Sequence, residues 1–337
     1  MGEGCLKFYN LTSHPLVTVI IPVYNIENYV DECIISVLNQ TYQKIEVIII
    51  DDGSTDKSGA KCDRYCDDRI TVIHQENKGL AETRNVGIAA ANGEYIYFID
   101  SDDYISKTLI ENLLVSIVKT GSLIACCDYT RKKENLYLGD VTDVKIMDTF
   151  SAINGLFNDK GYRFYVWNKM FHRSIFEHVT FPKGELYEDI KPMYQAFKRI
   201  NHVAYVNKPL YFYRNRPGSI THKYNIRRYD RVMAINYIMR DCKDNPELFS
   251  SLIPKYASNY LYYLNESYRA GVVIPAIDKK LQVLVKKKWK RIIKSDGLEL
   301  TTKISLLILG ISPAIYRCVY IIYYRMKRAI LEVAKSI

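Results

Sequence analysis

Three short apolar runs constrain this chain more than any other feature: 16–23 (LVTVIIPV), 45–50 (IEVIII) and 95–99 (YIYFI), each ending abruptly in turn-forming or acidic residues. Runs of this length, rich in β-branched and aromatic side chains, read as buried strands rather than helices. Between them the period changes. Val30, Cys33, Ile34, Val37 and Leu38 recur at helical spacing within 27–39, a third short strand is expected over 69–74, and 79–91 reads as a second helix. Strands alternating with helices over a hundred residues predict a parallel, doubly wound sheet. The carboxyl ends of such strands share one edge, and open α/β folds bind ligands there. Tyr24, Asp51 and the run Asp100-Ser101-Asp102-Asp103 should therefore meet along it.

Those strand ends are rich in charge. Asp100, Asp102 and Asp103 place three carboxylates within four positions, and they repel one another unless something positive sits among them. A divalent cation carrying its own anionic ligand would meet that need; an acidic turn capping the next helix is the simpler explanation. Asp51-Asp52-Gly53-Ser54-Thr55-Asp56 follows the second strand. Its carboxylates could accept from a nucleobase N–H or ribose hydroxyls, or merely cap a helix. Arg84 and Asn85 fall in the first turns of the helix over 79–91, facing the same edge or solvent. No G-x-G-x-x-G follows the first strand and no G-x-x-x-x-G-K-S/T occurs anywhere, which removes the main support for dinucleotide or P-loop readings.

Further along, 109–118 is predicted helical and 123–129 a strand, with 130–148 polar and irregular, read as a hairpin. The aromatic-rich stretches 162–180 and 184–213 suit a sheet edge with a helix covering a cleft, and 227–242 and 254–269 read as Tyr-rich helices. Formal net charge is +10, yet from Lys279 to Arg328 there are thirteen basic and two acidic residues, so the excess lies in that stretch and the rest is close to neutral. Such a distribution argues against a nucleic-acid-binding core and for a basic appendage. Apolar runs within it are broken by Gly310, Pro313 and Arg317, and none reaches the roughly 18–20 residues that span a bilayer. Basic helices with Trp, Tyr and Leu on one face lie in a membrane interface; a helical cap on the rest of the protein is the alternative. The eight cysteines lack zinc-type spacing, and residues 1–16 lack a signal-peptide pattern, so reduced thiols in a cytosolic setting are expected.

Taken in order, IIPVYN (20–25), IDDGSTD (50–56), NKGLAETRNVG (77–87) and YFIDSDD (97–103) resemble the nucleotide-sugar domain of family 2 inverting glycosyltransferases with the GT-A fold. VWNKMF (166–171), ELYEDI (185–190) and YFYRNRPGSIT (211–221) are similar to the bacterial surface-polysaccharide (capsule, exopolysaccharide, lipopolysaccharide) branch, and the resemblance covers about 16–222. It implies an α/β, Rossmann-like mixed sheet flanked by helices. It also implies a catalytic domain over 1–224, with a nucleotide-sugar half (16–104) and an acceptor half (105–224); the charge and apolar patterning beyond it give a helical region over 225–337 carrying the basic tail 279–328.

Roles follow residue by residue from the same resemblance. Asp51 would contact the base and Arg84 would lie near the uracil, with Pro22 and Tyr24 lining the nucleoside pocket and Asp52, Lys78 and Ser101 in the donor site. Asp100 would approach the ribose or donor sugar, and Asp102, with Asp100, would hold Mn²⁺ or Mg²⁺ on the diphosphate. The catalytic base is expected in Glu188-Asp189, with Asp189 in the matching place; acids favoured at a helix N-terminus are the plainer explanation. Trp167, Lys169 and Arg214 are candidate acceptor contacts, Arg214 and Arg216 candidate phosphate contacts, and His222 either a metal ligand or a plain loop histidine.

The expected activity is metal-dependent, inverting transfer of a hexosyl or N-acetylhexosaminyl group from a UDP-sugar. The expected acceptor is a saccharide or polyprenyl-diphosphate saccharide, and the expected location is the inner face of the cell membrane. A nucleotidyltransferase would want a Gly-rich, basic loop after the first strand, and Tyr24-Asn25-Ile26-Glu27 is not one. A non-catalytic membrane scaffold is the remaining alternative, against which the full set of acids stands.

Overall fold

The first hundred residues fold into strand–helix units. β1 (Val17–Val23), β2 (Ile45–Asp51), β3 (Ile70–His74) and β4 (Tyr95–Phe98) lie parallel in the order β3-β2-β1-β4, joined by α1 (Val30–Leu38), α2 (Ser58–Cys62) and α3 (Leu80–Ala90). Every residue of β1 is buried, as expected of a central strand covered on both faces. Val19, Ile21, Val47, Ile49 and Tyr97 pack with Ile34 and Val37 of α1 in one core layer. The alternate positions face the other way, where Ile20 lies against Gly87 of α3 and Phe98 meets Phe171, Phe176 and Phe181 edge-on. The register pairs Val23 with Asp51 and Ile20 with Phe98, so the carboxyl ends share one edge.

The computed structural model describes residues 14–157, 161–216, 225–295 and 298–336. Two compact units divide the chain, residues 1–217 and 218–337. The first continues with β5 (Tyr104–Ile105), α4 (Leu109–Thr120), β6 (Ile124–Thr130), β7 (Lys145–Asp148), α5 (Thr149–Leu156), β8 (Lys169–His172), α6 (Ile190–Lys198) and β9 (His202–Phe212). Together these extend the sheet to β3-β2-β1-β4-β8-β6-β9-β5, with β7 paired to β9. Because β8 runs antiparallel to both β4 and β6, the sheet is mixed.

Three local expectations need correction. The segment 130–148 is no hairpin, since β7 pairs with β9 rather than with β6. Residues 162–180 do not form a sheet edge either, because β8 lies inside the sheet between β4 and β6. Its aromatic content serves packing: Tyr97 donates to the Trp167 carbonyl at 2.6 Å, and Trp167 stacks on Tyr211 with centroids 4.2 Å apart. The helix expected from Pro254 starts eight residues earlier, as α8 (Pro246–Arg269), with Pro254 inside it. The Asn245 side chain caps it by accepting from the Leu248 amide at 3.0 Å, the stronger start signal when followed by proline.

The second unit is helical: α7 (Tyr229–Asp241), α8, α9 (Pro275–Ile293), α10 (Leu300–Ile311) and α11 (Pro313–Ser336). Its tyrosines are largely internal, Tyr256 and Tyr260 both donating to the Asn236 side-chain oxygen, at 2.5 and 2.9 Å. Among the described residues no helix is long and apolar enough to cross a membrane, and no two cysteines are joined in a disulfide.

Candidate active site

The centre of the strand-end edge is an arginine. Arg84, in the second turn of α3, is 2% exposed and bridges two acids: Nη2 donates to Asp100 at 3.0 Å and Nη1 to Glu188 at 2.7 Å. Glu188 lies about a hundred residues away in sequence, so the ion pair joins the strand-end carboxylates to the Glu-Asp pair. Phe181 lies under the guanidinium at 5.4 Å, and Arg84 Nε is buried without a partner. An arginine expected beside the uracil thus stands between the donor-side carboxylate and the candidate base.

Asp189 stands at the N-cap of α6, and its side chain makes no capping hydrogen bond there. Burial first and the neighbouring Glu188 second push its carboxyl up to about 7, against the opposing pull of Arg84 and Lys169. A carboxyl that releases its proton near neutrality is suited to general-base work. Tyr187, just before the pair, has φ of 59°, a left-handed conformation that non-glycine residues adopt at some cost.

At the end of β4 the three aspartates divide. Asp103 is buried, accepting from the Tyr211 hydroxyl at 2.5 Å and the Arg214 amide at 2.7 Å; burial and then Asp102 and Asp100 push its carboxyl well up. It anchors β9 to the loop. Asp100 is raised to about 6, by burial first, with Arg84 opposing and Asp102 adding to it. Asp102 is partly exposed and its Oδ2 meets Arg216 Nε at 2.6 Å, while its carbonyl accepts from Arg214 Nε at 2.7 Å. Arg214 also pairs with Glu32, an acid that sequence reasoning overlooked. Ser101, between Asp100 and Asp102 in sequence, is buried.

The second strand end is a braced loop. Asp52 Oδ1 accepts from the Lys78 amide at 2.8 Å and Gln75 Nε2 at 2.6 Å, and Oδ2 from the Gly79 amide at 2.9 Å. Asp52 therefore ties the loop before α3 in place. Lys78 is exposed, Tyr24 is half exposed and Pro22 buried within β1. Gly53 takes φ of +71°, and a Cβ there would lie 2.8 Å from the Asn77 amide, so the turn needs glycine.

The acceptor assignments of two residues are overturned. Lys169 is fully buried, its Nζ donating to the Tyr162 carbonyl at 2.6 Å, to the Tyr165 carbonyl and to Asn168 Oδ1 at 2.8 Å. Burial lowers its ammonium to about 8, and it braces the chain before β8. Trp167 is 3% exposed and stacked between Tyr165 and Tyr211. His222 lies outside the described residues.

Among the described residues no group of three His, Cys, Asp or Glu side chains is arranged to hold a metal. The donor set nonetheless fits a cation that brings its own ligands. The charge of Asp102 adds to the raised proton affinity of Asp100, and both add to that of Asp103, while partly exposed Asp102 sits against a positive group, the Arg216 guanidinium. One carboxylate plus diphosphate oxygens is how a hard ion such as Mg²⁺ is commonly held.

A parallel strand-end edge with acids at the ends of β2 and β4, reached by a second acidic pair through a buried arginine, is a ligand-binding type of edge on a mixed α/β sheet. The family model for glycosyl transferase family 2 matches residues 18–180. Glycosyltransferase GlyA of Streptococcus pneumoniae is 37% identical over 217 residues, 61% of this chain and 31% of that protein. Glycosyltransferase GlyG of the same organism is 35% identical over 219 residues, 61% of this chain and 72% of that protein. The chain thus spans about a third of GlyA's length and about seven tenths of GlyG's. The crystal structure of S. aureus TarS 1–349 has the same fold, with a TM-score of 0.61 at 18% identity over 92% of this chain and 91% of that one; TarS 1–349 in complex with UDP-GlcNAc gives 0.58. The chain belongs to glycosyl transferase family 2, and its first unit has the GT-A-like fold.

Proposed function

We propose that this chain is an inverting glycosyltransferase that moves a hexosyl or N-acetylhexosaminyl group from a UDP-sugar to a saccharide acceptor in surface-polysaccharide assembly. The observation that carries the reading is Asp189, its carboxyl raised to about 7 while Arg84 holds the adjacent Glu188 and ties it to Asp100. A base of that strength takes the acceptor hydroxyl proton as its oxygen attacks the anomeric carbon from the face opposite the leaving group. The C1–O bond to the diphosphate breaks, and the electron pair leaves with the nucleoside diphosphate. Asp102, with Asp100, would hold Mn²⁺ or Mg²⁺, which when bound supplies Lewis-acid stabilisation of the diphosphate charge. Arg214 and Arg216, already beside Asp102, are suited to contact the phosphates. Asp51 and Tyr24 serve the nucleoside. TarS, crystallised with UDP-GlcNAc, supports the choice of a UDP-sugar.

Calorimetric titration of UDP with and without Mn²⁺ tests the reading. Metal-linked UDP binding is expected, with Asp102→Asn losing the metal dependence; no UDP binding under either condition would leave a scaffold. A nucleotide-sugar panel scored for release of nucleoside diphosphate would then identify the donor.

The second unit supports a lipid-linked acceptor, such as a polyprenyl-diphosphate saccharide, used at the inner face of the membrane. Leu300, Ile304, Leu307 and Ile311 of α10 and Ile315, Val319, Ile322 and Met326 of α11 recur at helical spacing and are all exposed. Lys303, Arg325 and Lys327 flank these stripes, an arrangement suited to an anionic bilayer surface. Burying one such side chain is worth about 1.5–3 kcal/mol. Ile315→Glu/Ile322→Glu should therefore lower co-sedimentation with phosphatidylglycerol vesicles by roughly a hundredfold, and unchanged partitioning would defeat the membrane reading.

A further inference from the structure

β3 ends on His74, whose backbone is in register with Asp51 at the end of β2, so the ring falls beside the carboxylate assigned to the nucleobase. His74 Nδ1 lies 3.0 Å from Asp51 Oδ2, and Nε2 lies 2.9 Å from Asp63 Oδ1, just past α2. The other Asp51 oxygen accepts from the Ser54 amide at 3.1 Å. A Cβ on Gly59 of α2 would come within 2.5 Å of Asp51 Oδ2, so the helix leaves room for that carboxylate only because the residue is glycine. Asp51 is 6% exposed, whereas His74 and Asp63 reach solvent.

Neutral imidazole has one N–H and one lone pair, so it can donate to only one of two carboxylates; the imidazolium donates to both. Placing carboxylates on both ring nitrogens selects the charged form and gives the buried Asp51 a counter-charge. Two of the four acceptor sites on Asp51 are taken by protein donors, which holds its rotamer and leaves capacity for an incoming donor. We propose that His74, steadied by Asp63, is a positioning residue that holds Asp51 to receive the imide N–H of the nucleobase. The site then takes uracil, or another base with a ring N–H at that edge, over cytosine, whose corresponding nitrogen is an acceptor. The inference rests on the reading of Asp51 as the base contact.

Its pH consequence follows from the groups that face the ring. These are Asp51 from β2 and Asp63 after α2, whose hydrogen bonds raise His74 above its ordinary value, with the buried Cys62 thiol of α2 close to both acids. The clamp is complete below the raised His74 value and loses one donated hydrogen bond as pH rises through it, so nucleotide affinity falls on the alkaline side.

Steady-state kinetics and UDP titration on the full chain from pH 6 to 9 test this. His74→Ala should raise donor KM about tenfold, the loss of one charge-assisted hydrogen bond, keep kcat within about twofold by the same reasoning, and abolish the alkaline fall in UDP affinity. Asp63→Asn keeps the ring and should move that fall to lower pH, so it serves if His74→Ala does not fold. Donor KM and pH profiles like those of the unaltered protein in both variants would overturn the proposal. Asp51→Asn separates the two readings. If it leaves UDP binding unchanged, the nucleobase role of Asp51 is wrong; if it weakens binding while the His74 and Asp63 variants do not, only the positioning inference fails.

Discussion

Asp189→Asn is expected to bind donor normally and to lower turnover by about 10²–10⁴-fold, the usual contribution of a positioned general base. The side chain keeps its size and loses only its ability to take a proton, so UDP affinity measured by calorimetry should stay within about twofold. In the unaltered protein the carboxyl sits at about 7. The acidic limb of kcat/KM should therefore rise through that pH as the base loses its proton, and vanish in the variant. Glu188→Gln should act differently, because Arg84 already holds Glu188; its loss disturbs position more than proton transfer. Turnover near that of the unaltered protein in Asp189→Asn would remove Asp189 from the mechanism.

Arg84→Met is expected to destabilise the fold by about 3–5 kcal/mol, the range for removing one member of a buried ion pair. Both Asp100 and Glu188 would remain in a largely buried setting without their cation. The effect should depend on pH in a stated sense. Asp100 is raised to about 6 in the folded protein with Arg84 present. Its contribution is therefore present at low pH and lost as pH rises through that value. Without Arg84 the carboxyl rises further, so the deficit should be larger at pH 8 than at pH 5. Urea midpoints at the two pH values measure this, and Arg84→Met/Glu188→Gln should recover part of the loss by removing one orphaned charge. Equal midpoints for Arg84→Met and the unaltered protein would show that the bridge is not structural.

Much of what lies at the strand ends is legible in the order of residues. The apolar runs end where the strands end, within a residue or so, because a short stretch of β-branched residues bounded by Pro22, Asn25 or paired aspartates has few alternatives. The division of labour among Asp100, Asp102 and Asp103 was legible in part. Asp102 is expected as a metal ligand, and the structure leaves it partly exposed; that Asp103 is buried under Tyr211 depends on where β9 returns to the sheet. Arg214 and Arg216, expected as phosphate contacts, lie on the Asp102 backbone and side chain, a placement set by the return of β9 and not by their neighbours in sequence. Lys169 was misread because a lysine in an aromatic segment looks like a ligand contact, and nothing local shows three oxygen acceptors closing around its amine.

His74 shows the limit from the other side. It was read only as the end of a short strand, and no pattern in its neighbours marks it. Two carboxylates reach its ring because β2 and β3 are in register and α2 brings Asp63 to the far nitrogen. Arg84 is the same case at longer range, since its second partner comes from the loop before α6, a hundred residues on.

By itself, then, the order of residues determined the alternation of strands and helices, the shared edge of carboxyl ends, and the acids gathered there. These depend on period and on local turn chemistry, both written within ten or so neighbouring residues. The tertiary structure alone decided which acid is braced, which is raised toward neutrality and which cation joins the two halves of the site. Those properties depend on burial and on charges brought together across long stretches of chain, and no local pattern encodes such distances.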